Sequence, residues 1–203
     1  SSFGGIPIDL EACGIDFLVT SANKCIEGVP GFAIAVATHD AIEKCRSITP
    51  RSLGLDLVSQ LDGLEGDGQF RFTPPTQVLA AFHKALEEYN AKGGLPAQKA
   101  RYEENQKIFI DGCEAMGLQP FVTGPERSYI ITSIRYPEDE AFDFEVFYTK
   151  LAERGMVIYP GKVTNAQCFR VGHIGHIFPD DTRELIGHMR DVFGEMGVKI
   201  ERG

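Results

Sequence analysis

Two apolar runs near the start of the chain show no alternation of polar and apolar positions. The first, Phe17-Leu18-Val19, lies in a predicted strand over residues 15–20, and the run 32–37 predicts a second strand. Strands without alternation are typical of a sheet buried on both faces. We therefore expect a mostly parallel sheet covered by helices, followed by a short helix at about 40–45.

The next part of the chain changes from irregular to helical. Residues 46–68 show no clear periodicity, and the Gly/Asp-rich run at 62–68 predicts a loop. The segment 70–76 then opens a helix that runs to about Asn90, with Thr73 or Thr76 as candidate caps. Its apolar stripe has helical spacing and consists of Val78, Phe82, Ala85 and Tyr89.

A glycine pair, Gly93-Gly94, ends that helix and precedes another one that begins near Pro96 and stops at Gly117. The remaining pattern mixes strands and helices. It predicts strands at 128–135, 156–159 and 168–172, a helix at about 143–154, and a final helix from Pro179 with the apolar stripe Leu185, Met189, Val192 and Met196. We place a domain boundary near residue 92. The predicted architecture is α/β over 1–92 followed by α+β over 93–203.

Composition excludes several classes of partner. The chain has 203 residues, is 43% hydrophobic and carries a formal net charge of −9. Such a balance argues against nucleic acid and anionic membranes, which attract basic patches. No apolar run approaches the ~20 residues that span a bilayer. Five widely spaced cysteines without a C-x-x-C pair favour reduced thiols over disulfides or a zinc site.

The first candidate for chemistry is Lys24, which follows the strand at 15–20 and precedes two glycines that flank Pro30. A lysine at a strand end commonly extends to the surface. The alternative is a lysine held in a Gly/Pro-shaped turn by a dedicated partner, which offsets the cost of its desolvation and lost rotamer freedom. Spacing alone leaves both interpretations open.

The run Ser-Ala-Asn-Lys-Cys-Ile-Glu-Gly-Val-Pro-Gly-Phe at 21–32 resembles the lysine segment of the 2-aminoethylphosphonate–pyruvate aminotransferase family. That family belongs to the class V aminotransferases, which are fold-type I enzymes dependent on pyridoxal 5'-phosphate (PLP). The resemblance implies that Lys24 forms the Schiff base with PLP and serves as the catalytic proton carrier. It also implies that Ser21 and Asn23 shape the cofactor pocket. The fold it implies is the C-terminal part of the large PLP-binding domain followed by the small C-terminal domain.

Two further residues match the family. Arg170 lies in a Phe-Arg-Val-Gly-His-Ile-Gly segment that resembles the family's substrate-binding strand, which implies a contact with the substrate carboxylate or phosphonate. Without the resemblance, an arginine on an edge strand is the simpler interpretation. Thr73 matches a position that reaches the cofactor phosphate of the neighbouring subunit, and Arg71 is a weaker candidate beside it. The plain alternative for Thr73 is a helix cap.

Other polar residues have simpler interpretations. His173 and His176 have metal-like spacing, but no third ligand is evident, so we interpret them as a loop pair and predict no metal site. Cys25 is interpreted as a small buried side chain and His83 as a surface or core-edge residue. The run 159–162 looks like the family's turn that faces the active site, and we interpret it as structural.

The resemblance implies transfer of the amino group of 2-aminoethylphosphonate to pyruvate, which gives phosphonoacetaldehyde and alanine. It also implies small-molecule substrates, a homodimer and a cytoplasmic location. One alternative is another class V aminotransferase of the alanine/serine–glyoxylate/pyruvate type. The chain opens at Ser1 without methionine, and the resemblance implies that it is a C-terminal portion that lacks the family's aspartate, phosphate turn and stacking ring for the cofactor. A second alternative is therefore a catalytically incomplete fragment that only folds or dimerises.

Overall fold

A computed structural model describes residues 1–161 and 166–200. The chain divides into two compact units, Ser1–Gly94 and Leu95–Gly203. Both combine helices with a small antiparallel sheet. None of the helices in the described ranges combines the length and apolar composition needed to cross a bilayer.

The first unit holds two strands and three helices. They are β1 (Phe17–Ser21), β2 (Ala33–Ala37), α1 (His39–Cys45), α2 (Leu57–Gly66) and α3 (Thr76–Ala91). The strands pair antiparallel, from Phe17 opposite Ala37 to Ser21 opposite Ala33. The prediction of a parallel sheet buried on both faces is wrong for this pair, in which Val19 is 67% exposed. An apolar run without alternation indicates hydrophobicity, but it carries no information about strand direction.

Helix α2 lies where the sequence pattern predicted an irregular stretch and a loop. Its start is fixed by Asp56, whose Oδ1 accepts a hydrogen bond from the backbone N–H of Ser59 at 3.1 Å. The loop prediction is wrong because Asp62, Gly63 and Gly66 lie inside the helix. Such residues lower helix propensity by only about 0.5–1 kcal/mol each, which a good cap and tertiary contacts offset.

Helix α3 begins at Thr76, and Pro75 occupies its N-cap position without a side-chain hydrogen bond. The prediction that Thr73 or Thr76 caps this helix is therefore wrong. Two consecutive prolines place the helix start after Thr73, and a proline side chain has no acceptor for the orphan amides. The predicted C-terminal end is confirmed, since α3 ends at Ala91 and Gly93 adopts a φ of 102°.

The second unit follows the predicted order of elements. It contains most of α4 (Gly94–Glu114), then β3 (Ile131–Arg135), α5 (Phe144–Glu153), β4 (Tyr159–Pro160), β5 (Cys168–Gly172) and α6 (Pro179–Met196). The sheet has the order β3-β5-β4, and both pairs are antiparallel. The predicted strand at 168–172 and the helix starts at 143 and 179 are confirmed. The predicted strands at 128–135 and 156–159 are shorter and shifted.

An aromatic core fills the second unit. Phe109, Phe147, Phe169 and Phe193 are each fully buried, and the rings of Phe147 and Phe193 stack with centroids 4.7 Å apart. Asp143 caps α5 by accepting from the N–H of Val146 at 2.9 Å. Such burial gives roughly 1.5–3 kcal/mol per large apolar side chain, which holds β5 firmly against α5 and α6.

The first unit leaves several large apolar side chains in contact with solvent. Leu55 is 80% exposed, Leu53 70% and Ile48 62%, all in the segment between α1 and α2. Single exposed leucines are ordinary, but three within eight residues form an apolar segment, which we call the 48–55 segment. Segments of this kind are typical of surfaces that contact another protein.

Candidate functional site

Lys24 lies on a tight turn that directly follows β1. Its neighbours Ala22, Cys25 and Ile26 are buried, with exposed fractions of 0%, 0% and 6%. Lys24 is partly buried, and Asn23 is exposed. Within residues 1–161 and 166–200, the Nζ of Lys24 makes no hydrogen bond or ion pair. The turn therefore anchors its backbone in the core and leaves the lysine amine available.

Backbone hydrogen bonds close this turn. The N–H of Glu27 donates to the carbonyl of Lys24 and the N–H of Gly28 donates to the carbonyl of Ala22, both at 2.9 Å. A Cβ at Gly28 would come within 2.8 Å of the Ala22 oxygen and 3.2 Å of Phe82 Cδ2, so only glycine fits there. The two glycines noted in the sequence are thus close-packing positions as well as turn formers.

Helix α3 and the N-terminal segment support the turn. Phe82 meets Phe32 edge to face with centroids 5.3 Å apart, and the hydroxyl of Tyr89 donates to the carbonyl of Gly4 at 2.9 Å. Burial raises the pKa of the Cys25 thiol to about 11, so this thiol is neutral at physiological pH. Cys25 is therefore the small buried side chain that the sequence predicted.

The other predicted cofactor residues of the first unit are spread over two segments. Ser21 ends β1 and is partly buried, beside exposed Asn23. Thr73 is exposed in the non-helical stretch before α3, and its hydroxyl has no hydrogen-bond partner in the described part of the chain. The structure thus groups Ser21 and Asn23 with Lys24 on one turn and places Thr73 on a separate segment.

Arg71 has a structural partner. Its Nη1 lies 2.9 Å from Asp56 Oδ2 and donates to the Leu53 carbonyl at 3.2 Å. Two hydrogen bonds from Ser59, and then the Arg71 guanidinium, lower the pKa of Asp56 below its usual value. Arg71 thus links the residues before α3 to the cap of α2.

Arg170 lies on β5, the central strand of the second unit's sheet. Its neighbours Phe169 and Val171 are 0% and 6% exposed and face the core, so the alternation of a strand directs Arg170 to the opposite face. Ser133 and Tyr159 are its cross-strand partners on that face. The sequence-based alternative of an edge strand is wrong, because β5 is paired on both sides.

The Arg170 guanidinium has N–H donors that bind no other described residue. Its Nε donates to the Pro160 carbonyl at 3.2 Å, and this is its only hydrogen bond within the described ranges. One fixed Nε contact leaves the two Nη groups able to bind a planar carboxylate or a phosphonate. Lys162, at the end of the run 159–162 that resembles the family's turn, lies outside the described residues.

His173 and His176 lie in the loop after β5, as predicted, but the His173 side chain is buried in the core. It is 1% exposed, and a 2.7 Å hydrogen bond joins its Nε2 to the hydroxyl of Thr132. Asn105 is also fully buried and donates to the carbonyls of His173 and Ile177 at 3.3 and 3.0 Å. Its Oδ1 has no partner among the described residues. These bonds fix the segment that follows Arg170.

This buried polar network was not predicted from the sequence. The polar residues at helical spacing in α4, Gln98, Tyr102 and Asn105, were a signal for a polar buried face. His176 instead packs edge to face on Phe178 with centroids 4.8 Å apart. The described residues hold no group of three or more His, Cys, Asp or Glu side chains that could bind a metal ion.

We expect His173 to make stability depend on pH. Burial lowers its folded-state pKa to about 4 from 6.5, so between these values the unfolded chain binds a proton that the folded chain does not. The free energy of unfolding should fall as pH drops below about 6.5 and level off near pH 4, by about 3 kcal/mol in total. Urea unfolding followed by circular dichroism at several pH values measures this.

The matched variants are His173→Gln, which removes the buried titrating ring, and His83→Gln, which removes one that is 77% exposed. The first should flatten the slope between pH 6.5 and 4, and the second should not change it. An unchanged slope in His173→Gln would contradict the assignment. Loss of the Asp139 and Glu195 interactions follows at lower pH, because hydrogen bonds lower the pKa of both carboxyls.

Comparison with known proteins identifies the family of this chain. The model of the family described as aminotransferase class-V matches residues 1–171. The chain belongs to the class V aminotransferases.

Two curated relatives within this family are similar to the chain over most of its length. The chain is 48% identical over 188 residues to 2-aminoethylphosphonate–pyruvate transaminase of Vibrio vulnificus strain YJ016, covering 92% of this chain and 51% of the relative. The protein of the same name from Phocaeicola vulgatus is 45% identical over 193 residues, or 95% and 53% of the two chains. The chain spans about half the length of these curated relatives.

Solved structures agree on the fold. Pyridoxamine-pyruvate aminotransferase from Mesorhizobium loti superposes with a TM-score of 0.89 at 26% identity, covering 100% of this chain and 52% of that one. The alanine–glyoxylate aminotransferase of Nostoc sp. superposes with a TM-score of 0.84 at 24% identity, covering 95% and 52%. The fold is therefore that of part of an aminotransferase, as the sequence predicted.

Proposed function

We propose that the protein containing this chain is a PLP-dependent aminotransferase that transfers the amino group of 2-aminoethylphosphonate to pyruvate. The observation that carries the proposal is the lysine turn. Its backbone is anchored in the core, it is closed by two 2.9 Å hydrogen bonds, and within the described residues it presents a lysine amine with no polar partner. The names of relatives at 45–48% identity support the substrate pair.

The residues present fit PLP. An amine without a competing ion pair can condense with an aldehyde, and the turn restricts the lysine backbone. We propose that Lys24 attaches the cofactor, that Ser21 and Asn23 line its pocket, and that the free hydroxyl of Thr73 donates to the cofactor phosphate. When bound, PLP supplies an electron sink that stabilises negative charge on the substrate carbon as it loses its proton.

Two side chains of this chain would perform the remaining steps. The Nζ of Lys24, as a free amine, would accept a proton from the substrate carbon and hold it for return to the reacting group. Arg170 holds the phosphonate or carboxylate through its Nη groups and so orients the reacting carbon. A lysine amine can act as a base once it has lost its proton, whereas an arginine guanidinium stays protonated, so the two side chains suit different roles.

We also propose a cytoplasmic homodimer. The exposed 48–55 segment supports a protein–protein contact in the first unit, and five cysteines that form no disulfide among the described residues are typical of a reducing compartment. The proposal treats the segment as part of a surface between two copies. The molar mass in solution, measured by light scattering, checks the dimer.

Substrate choice can be tested by supplying PLP, pyruvate and one amino donor at a time and measuring alanine formation. We expect 2-aminoethylphosphonate to react and serine not to, because the Arg170 site suits a doubly charged phosphonate. Equal rates with both donors would favour another class V aminotransferase. Attachment of PLP at Lys24 without turnover would favour the catalytically incomplete fragment.

A further inference from the structure

Glu27 has the most unusual backbone conformation near Lys24. Its φ is 63°, and among the described residues it is the one non-glycine residue with a positive φ. A side chain in this left-handed region brings Cβ close to the following carbonyl, so residues other than glycine, asparagine and aspartate rarely adopt it. Such conformations persist where the surroundings determine them, and they cluster at functional sites.

The contacts around Glu27 explain why the conformation is kept. Its N–H donates to the Lys24 carbonyl, and the next N–H, of Gly28, donates to the Ala22 carbonyl. The left-handed step at residue 27 returns the chain so that both bonds form. Gly28 is then packed too closely against Ala22 and Phe82 to shift. The backbone conformation of Glu27 thus closes the turn on the C-terminal side of Lys24.

The Glu27 side chain also has a defined position. It is 16% exposed, and its Oε2 lies 3.9 Å from the Nζ of Lys92, which caps the C-terminal end of α3. The Lys92 ammonium attracts the Glu27 carboxylate, so this side chain is held by charge as well as by its partial burial. Both the backbone and the side chain therefore restrain residue 27.

We propose that Glu27 is the positioning residue for Lys24. Its restrained left-handed backbone closes the turn 22–28 and holds the lysine backbone in one geometry for reaction with an aldehyde ligand. A glycine in the same place would adopt the same φ without strain, but it would also allow many others. The inference rests on the proposed attachment of PLP to Lys24.

The test measures two properties of each variant: the reactivity of Lys24 with PLP and the thermal stability of the protein. The chain is incubated with PLP and then with borohydride. The Lys24 nitrogen bonds to the aldehyde carbon with loss of water, and hydride reduces the resulting carbon–nitrogen double bond to a stable secondary amine. Peptide mass spectrometry gives the modified fraction at Lys24 and at Lys84, whose side chain is 66% exposed and serves as the internal standard. Thermal unfolding is measured in parallel.

For Glu27→Gly we expect an equal or higher melting temperature, because strain is removed, together with a loss of about two- to fivefold in the modification of Lys24 relative to Lys84. A residue with only a structural role would not separate these two measurements. Glu27→Gln keeps the side-chain shape and the hindered backbone without the charge, so it should retain most of the native ratio.

The experiment distinguishes failure of the positioning role of Glu27 from failure of the proposed PLP attachment at Lys24. Native reactivity of Lys24 in Glu27→Gly overturns the positioning role and leaves the attachment intact. A large loss in Glu27→Gln with none in Glu27→Gly also overturns it, because charge and not backbone would then control the lysine. If the native chain modifies Lys24 no faster than Lys84, the proposed attachment itself fails, and the inference fails with it.

Discussion

Lys24→Ala is expected to abolish covalent attachment of PLP at residue 24, which is the largest effect predicted for any single change in this chain. Alanine has no amine to condense with the aldehyde. Lys24 makes no polar contact within the described residues, so stability should change by no more than about 0.5 kcal/mol. Borohydride trapping followed by peptide mass spectrometry measures the attachment, and thermal unfolding measures the stability.

Two controls separate chemistry from charge. Lys24→Arg keeps the cation but replaces the amine with a guanidinium that stays protonated, so it should also lose attachment. Lys84→Ala removes an exposed lysine and should leave attachment at Lys24 unchanged. A Lys24→Ala protein that still gained a native amount of cofactor at one other lysine would show that the anchor lies elsewhere.

The second large effect concerns Arg170. Arg170→Ala is expected to weaken binding of 2-aminoethylphosphonate about ten- to a hundredfold, the range for the loss of charge-assisted hydrogen bonds to an anion. The partly exposed position of Arg170 keeps the expected effect within that range, because water screens the pair. Titration calorimetry of the chain measures the dissociation constant.

Conservative and distant variants test the geometry. Arg170→Lys keeps a positive charge but loses the planar fork and the Nε bond to Pro160, so its affinity should lie between those of the native chain and Arg170→Ala. Arg190→Ala removes an exposed arginine from α6 and should have no effect. Equal affinity in Arg170→Ala and native protein would refute the anion-binding role while leaving the Lys24 chemistry untouched.

Much of the second unit could be predicted because its signals are local. Asp143 before an apolar-periodic run predicts a helix start, and Asp143 is the cap. Pro179 followed by two aspartates predicts another, and α6 begins there. The strand at 168–172 was recognisable from alternating Phe169, Arg170 and Val171. Hydrophobic spacing and capping chemistry act over a few residues, so one sequence suffices for them.

The first unit was harder because its structure depends on contacts far apart in the chain. The antiparallel pairing of β1 and β2 depends on how the two strands meet in the fold, which no run of apolar residues reveals. The Gly/Asp-rich run at 62–68 predicts a loop, whereas the Asp56 cap starts helix α2, which continues through Gly66. The resemblance identified Lys24, but the left-handed Glu27 that closes its turn could be found only from the backbone.

The buried polar network shows a similar limit. The sequence paired His173 with His176 because they are three residues apart, whereas the fold pairs His173 with Thr132, 41 residues earlier. Asn105 lies farther still, and its amide bridges two carbonyls of the segment after β5. Partners chosen by tertiary structure leave little trace in local spacing, so such networks become visible only with coordinates.

The exposed 48–55 segment bears on how the protein behaves at high concentration. At a net charge of −9, the molecules repel one another in dilute salt, and this repulsion keeps the exposed leucines apart. The range of that repulsion shrinks from about 10 Å at 0.1 M ionic strength to about 3 Å at 1 M. Colloidal stability should therefore be greatest in low-salt buffer, and salting out should begin at the same leucines that a partner would cover.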